Sequence, residues 1–264
     1  MRYGVMNSPL HLLLNEVEAL GALGFDYLEM TMDAPFAQHS VVSEQKTELG
    51  RVLKRFGMDL VCHLPTFVST ADLTDAIREA SIQETLKSMQ TAAELGAEKT
   101  VLHPSFIHGL GPMLPDLARQ HSMVAMDRLL QEAERLQLRV CVENMFPRSF
   151  SLVRPEDFDA VFDRFPNASL TLDTGHAHIE GGTERILAFI KRFPGRIGHV
   201  HASDNRGHND DHLPMGAGTI DFGKVVKALK EIGYDETITL EVFTTDREYL
   251  LISRNKLERM FSDE

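Results

Sequence analysis

The 264-residue chain is poor in cysteine and in positive charge, and it has no long apolar run. Its two cysteines, Cys62 and Cys141, each sit inside a short apolar stretch, so there is no disulfide framework to read. A reducing cytoplasm is the expected setting, with both thiols buried. No segment approaches the roughly 20 apolar residues that a membrane span needs, so no membrane partner is expected. Met1-Arg2-Tyr3-Gly4-Val5 runs directly into a strand pattern, and no signal peptide is expected. Basic residues number 27 against 39 acidic ones, a formal charge of −12, which disfavours generic polyanion binding. With 43% hydrophobic and 25% charged residues the chain is ordinary for a globular protein, which excludes disorder and collagen-like structure.

What the chain does have is a regular alternation. Short apolar runs rich in β-branched and aromatic residues are separated by longer stretches of helical period. The runs are Arg2 to Met6, Tyr27 to Met30, Leu60 to His63, Thr100 to His103, Arg139 to Glu143, Ser169 to Asp173, Ile197 to His201 and Thr237 to Val242. The strongest helical stretches are Thr74 to Leu95 and Leu114 to Leu136. Gly24, Gly57, Gly96 and Gly233 each fall shortly before a run, where a helix would end in a left-handed cap. Eight βα units in a chain of this length predict a single (β/α)8 TIM barrel, one domain over residues 1–264, since about 250 residues is typical of that fold. A doubly wound open sheet is the alternative. It would carry a glycine-rich phosphate loop after the first strand, where this chain has Asn7-Ser8-Pro9-Leu10.

In a TIM barrel the chemistry gathers where the strands end. Here the third run ends in His63, the fourth in His103, the fifth in Glu143, the sixth in Asp173 and the seventh in His201, and the eighth carries Glu241. His176, Asp210 and His212 follow in the loops. A lone histidine at a strand end is usually a structural hydrogen-bonding group. Six consecutive strands bearing an imidazole or a carboxylate at one height need a common cause. Bare carboxylates packed together would repel and would be costly to desolvate, whereas divalent cations would neutralise them. Mixed imidazole and carboxylate donors without cysteine suit Zn²⁺, Mn²⁺, Co²⁺ or Fe²⁺ better than an all-oxygen Mg²⁺ cage. The remaining histidines are expected at the surface or behind the ligands. His199, two residues before His201, should point the same way one layer deeper.

The ordered motifs His63-Leu64-Pro65, Leu102-His103-Pro104, Val142-Glu143-Asn144, Leu172-Asp173-Thr174-Gly175-His176, His199-Val200-His201-Ala202-Ser203-Asp204, Asp210-Asp211-His212 and Leu240-Glu241-Val242 together resemble the xylose isomerase-like TIM barrels. That superfamily holds sugar and sugar-phosphate isomerases and epimerases as well as the family 2 AP endonucleases, of which endonuclease IV is representative. The resemblance implies one metal on His63, His103 and Glu143, a second on Glu143, Asp173, His201 and Glu241, and a third on His176, Asp210 and His212. Asp211 is an alternative to Asp210. The single-metal epimerases of the superfamily need only Glu143, Asp173, His201 and Glu241. One to three ions per chain, zinc or manganese, are therefore expected.

Two chemistries fit these ligands. One is isomerisation or epimerisation of a sugar or sugar phosphate through an enediolate, with Glu143 and Glu241 exchanging the proton as an acid/base pair. The other is phosphodiester hydrolysis at a di- or trinuclear site, as in endonuclease IV. A duplex-binding enzyme must neutralise several phosphates around its mouth. The segments 6–14, 31–45, 64–77, 104–118 and 174–184 hold no Lys or Arg, leaving Arg148, Arg154, Arg206 and Arg247 near the mouth. That suffices for one phosphate or carboxylate on a small substrate, with Arg148 and Arg206 the expected contacts, and is thin for DNA. Phe36, Phe67, Phe106, Phe146, Phe150 and Phe243 lie in the same loops, and Phe106 and Phe243 are expected to cover the apolar face of a sugar.

Overall fold

Strands of a parallel sheet are covered on both faces, which is why these runs are apolar almost throughout rather than alternating. The computed structural model describes residues 1–263, and it closes eight parallel strands in sequence order into a barrel. The strands are β1 (Arg2–Met6), β2 (Tyr27–Thr31), β3 (Asp59–His63), β4 (Lys99–Leu102), β5 (Val140–Glu143), β6 (Ser169–Asp173), β7 (Ile197–Ala202) and β8 (Thr237–Leu240). Closure is by β1 on β8, with Val5 paired to Leu240. The open-sheet alternative is thereby excluded. Around the barrel lie α1 (Leu13–Gly21), α2 (His39–Phe56), α3 (Asp75–Glu94), α4 (Pro115–Leu136), α5 (Asp159–Arg164), α6 (Thr174–His178), α7 (Gly182–Arg192), α8 (Phe222–Glu231) and α9 (Glu248–Ser262). Among the described residues no helix is long and apolar enough to cross a membrane.

The helices dock by apolar stripes. α8 starts where the Asp221 carboxylate accepts the Lys224 N–H at 3.1 Å, and it buries Phe222, Val225, Val226 and Leu229, the i, i+3, i+4, i+7 spacing of one helix face. Each such side chain contributes about 1.5–3 kcal/mol when taken out of water. Gly24, Gly57, Gly96 and Gly233 have φ between +66° and +71°, and each ends a helix-to-strand turn as the sequence pattern predicts.

Inside the barrel, a second small apolar layer of Tyr27, Val61 and Val101 is separate from the large core between strands and helices. Gly4 makes room for it: a Cβ there would lie 2.1 Å from the Tyr27 ring. Cys62 packs toward the helices, as alternation along β3 requires, and both thiols are buried. Two strands stop short of the expected runs, while β2 and β7 each run one residue longer. The ladder of β4 stops at Leu102 and that of β8 at Leu240, so His103 and Glu241 each lie one residue past their strand. Pairing runs on one step past β8, where the Glu241 N–H still donates to the Ala202 carbonyl at 3.1 Å.

Candidate metal centre

Side chains from β3 to β8 converge at the C-terminal end of the barrel. His201 is the hub: its Nδ1 lies 3.3 Å from Glu143 Oε1, 3.6 Å from Asp173 Oδ2 and 3.6 Å from Glu241 Oε2. His63 Nε2 reaches the other oxygen of Glu143 at 3.2 Å, and His176 Nδ1 stands 3.2 Å from Glu143 Oε1. Asp210 Oδ2 bridges His176 Nε2 at 3.3 Å and His212 Nε2 at 2.9 Å. Asp211 is exposed, so Asp210 is the aspartate that the fold brings to the cluster. His103 completes the group through its ring, 6.0 Å from His63 and 6.2 Å from His176. All nine positions singled out in the sequence thus come together.

The donor atoms fit a divalent ion. Asp173 Oδ2, His201 Nδ1, Glu241 Oε2, His103 Nδ1 and Asp210 Oδ1 are buried without a hydrogen-bond partner, and burial of unpartnered polar atoms is costly. Ligand atoms of Asp173, His201 and Glu241, of His63, Glu143 and His201, and of Glu143, Asp173 and His176 each form a tight group. Electrostatics agree. Burial alone would lower the His201 pKa, but Glu29, Glu241 and Glu143 hold it well above the ordinary value, and Asp173 and Asp210 do the same for His176. Against the same burial, Glu143 holds His63 up to about 9, and Asp210 and Glu241 hold His212 up to about 9. Burial and the neighbouring carboxylates Asp173 and Glu143, opposed by His201 and His212, leave Glu241 raised to about 7. Burial pushes His103 down to about 3. The cluster therefore demands positive charge, which protons or a metal ion can supply.

The sequence pattern of the xylose isomerase-like TIM barrel matches residues 17–260. The chain belongs to that family. Among solved structures, a D-tagatose 3-epimerase-like protein superposes with a TM-score of 0.87 at 25% identity, covering 98% of this chain and 97% of that one. The L-ribulose 3-epimerase of Mesorhizobium japonicum is 25% identical over 235 residues, 84% of this chain and 73% of its own. The probable endonuclease 4 of Mycobacterium leprae is 26% identical over 190 residues, 69% of this chain and 73% of its own. This family member therefore sits between two kinds of relative, and both are enzymes by name.

The residues around the centre divide cleanly. Phe243 stacks on the His212 ring at 4.1 Å and is 60% exposed, and Phe106 packs on His103 at 5.1 Å and on Phe146 at 5.6 Å. Arg148 and Arg206 are exposed and form no ion pair among the described residues. Arg247 is not a free cation at the mouth, because its Nη2 is bound to Glu16 at 2.5 Å. His178, expected outside the ligand set, is buried and bonded to Thr219 at 2.9 Å.

Four polar residues that hold the centre together escaped the sequence reading. Asn144 pins β5 to β6 by accepting the Asp173 N–H at 2.8 Å and donating to the Asp173 carbonyl at 3.0 Å. Asp204 accepts N–H groups from Asn205, Gly216, Gly218 and Ile220, and so shapes the loop after β7. Glu29 and Lys99 lie inside β2 and β4, both fully buried in the barrel. A charged residue inside an otherwise apolar barrel strand was the available signal.

Proposed function

We propose that this protein is a divalent-metal-dependent isomerase or epimerase of a sugar or sugar phosphate, with Glu143 and Glu241 as the acid/base pair. One observation carries the reading: carboxylate oxygens of Glu143 and Glu241 approach the same His201 nitrogen, at 3.3 and 3.6 Å, from strands separated by β6 and β7. Two carboxylates thus face one point from different sides, as removal of a proton from one face of a carbon and its return to the other requires.

Asp173, His201, Glu143 and Glu241 would hold the ion. When bound, it supplies Lewis-acid polarisation of adjacent substrate oxygens, which acidifies the intervening C–H. One glutamate then takes the α-proton at a carboxylate oxygen, and the other delivers a proton to the opposite face. Phe106 and Phe243 cover the apolar face of the sugar and exclude water. Arg148 and Arg206 supply the charge for a terminal phosphate or carboxylate. The epimerase relatives support this assignment of substrate class.

A second reading is kept by a specific observation. His63, His103, His176, Asp210 and His212, which a one-ion epimerase does not need, also gather against Glu143 and one another. They would equip the site for two further ions, zinc or manganese, and for phosphodiester hydrolysis as in the endonuclease 4 relative.

The deciding experiment incubates metal-loaded enzyme in D₂O with a panel of ketoses and ketose phosphates and, separately, with abasic duplex DNA. Deuterium is expected at the carbon beside the carbonyl, falling by about 10²–10⁴-fold in Glu143→Gln. Nicking of abasic DNA without exchange into any ketose overturns the isomerase reading.

A further inference from the structure

Behind the centre, the barrel holds a continuous hydrogen-bond chain that starts at its base. Lys99 Nζ donates to the Gly198 carbonyl at 2.7 Å, to Glu236 Oε2 at 2.8 Å and to Thr237 Oγ1 at 3.0 Å, so all three of its hydrogens are used. An ammonium group can only donate. The Thr237 hydroxyl accepts from Lys99 and has its own hydrogen to offer to His199 Nδ1, 2.7 Å away. Glu29 Oε2, 2.8 Å from His199 Nε2, can only accept, so the His199 hydrogen lies on Nε2 and Nδ1 is left to accept from Thr237. The Thr239 hydroxyl donates to the same oxygen and is itself bonded to Tyr27 Oη at 2.9 Å. Glu29 keeps its other oxygen, Oε1, for His201 Nε2 at 2.9 Å.

The direction of this chain has one outcome. A carboxylate can only accept, so Glu29 holds the His201 hydrogen on Nε2 and leaves Nδ1 facing Glu143, Asp173 and Glu241. Glu29, His199 and His201 also stand close enough together to suggest a metal site of their own. The distances speak against it: the 2.7–2.9 Å contacts on both His199 nitrogens and on His201 Nε2 are hydrogen bonds, shorter than the roughly 3.3 Å that separates neighbouring donors of one tetrahedral ion with bonds of about 2.0–2.1 Å.

We infer that Glu29 is a positioning residue for the metal centre: it fixes the ring and tautomer of His201, and its own donors are set by the Lys99–Thr237–His199 column that fills the barrel. The role rests on the metal centre proposed above. Glu29 touches neither the ion nor the substrate. Its direct contact with the proposed ligands is through His201.

The test measures ion binding rather than turnover. Wild-type protein and Glu29→Gln are stripped of metal, and Zn²⁺ and Co²⁺ affinities are measured by competition with a chromophoric chelator, alongside the visible spectrum of the Co²⁺ form. The glutamine can still accept from His201, but its amide hydrogens then oppose the His199 N–H and the Thr239 hydroxyl, two donors that the column holds in place. A fall in affinity of about 10–100-fold with a changed Co²⁺ spectrum is expected, at unchanged far-UV circular dichroism. Affinity within twofold of wild type and an unaltered spectrum overturn the role of Glu29 while leaving the metal centre intact. Wild-type protein that binds neither ion overturns the metal centre itself, and this role with it. If Glu29→Gln does not fold, Thr237→Val removes the donor that sets His199, together with one of the three acceptors of Lys99, and a loss of about two- to tenfold is expected. No loss in Thr237→Val then overturns the inference.

Discussion

Loading the metal-free protein with a divalent ion should expel protons, and their number should report how many ions the centre holds. At pH 7 His63 and His212, each raised to about 9, are protonated, as are His176 and His201, both held well above the ordinary value by surrounding carboxylates. Glu241, raised to about 7, is half protonated, and His103, pushed down to about 3, carries no extra proton. A single ion on Glu143, Asp173, His201 and Glu241 displaces the His201 proton and the half proton of Glu241, about 1.5 in all. Filling the His63/His103 and His176/Asp210/His212 positions as well displaces three further histidine protons, for a total of about 4.5. Affinity rises with pH in either case, because protons and metal compete for the same nitrogens. Calorimetric titrations with Zn²⁺ and Mn²⁺ in two buffers of different ionisation enthalpy give the count directly. Binding that releases less than about half a proton, with affinity flat from pH 6 to 8, would refute the reasoning, since it would mean that the raised groups are not the ligands.

Two further perturbations test the frame that carries the centre. Gly4→Ala places a methyl group 2.1 Å from the Tyr27 ring in a packed barrel, and a loss of about 1–3 kcal/mol in urea unfolding is expected; unchanged stability would show that the ring has room to retreat. Asp204→Ala leaves the N–H groups of Asn205, Gly216, Gly218 and Ile220 without their acceptor, and a loss of about 2–4 kcal/mol is expected from the donors left unpaired. The same variant should bind fewer ions or bind them more weakly if His212 depends on that loop, a point that elemental analysis settles.

The barrel was legible because both its signals are local. A buried parallel strand must be apolar on two faces, and a helix that turns back to it must end on a residue tolerant of positive φ, so the runs and Gly24, Gly57, Gly96 and Gly233 announced the repeat. The cluster was legible because the fold puts strand ends together, which brings six scattered side chains to one place. Glu29 and Lys99 were missed for the converse reason. Glu29 sits mid-strand and Lys99 opens β4, and only the closed barrel shows that Lys99 meets Gly198 on β7, or that Glu29 on β2 meets His199 and His201 on β7. Asp204 escaped because its partners lie 12 to 16 residues along an irregular loop with no period to read.

The charge of the chain takes on a local meaning at the mouth of the barrel. Glu143, Asp173, Asp210 and Glu241 are part of the acidic excess, and bound cations would offset them, so the centre itself says little about the sign of the substrate. The loops say more. Arg247 is already spent on Glu16, while Arg148 and Arg206 stand exposed without an ion pair among the described residues. In the same loops Leu10, Phe67, Met113 and Phe243 are between 60% and 82% exposed. A DNA duplex presents a charge every ~1.7 Å along its axis and demands a matching row of cations from the protein. A sugar phosphate presents one charge and an apolar ring face. The exposed Arg148, Arg154 and Arg206, together with exposed apolar side chains in the loops, answer the second demand and leave most of the first unmet, which supports the proposed small substrate even though the donor set would suffice for the hydrolase.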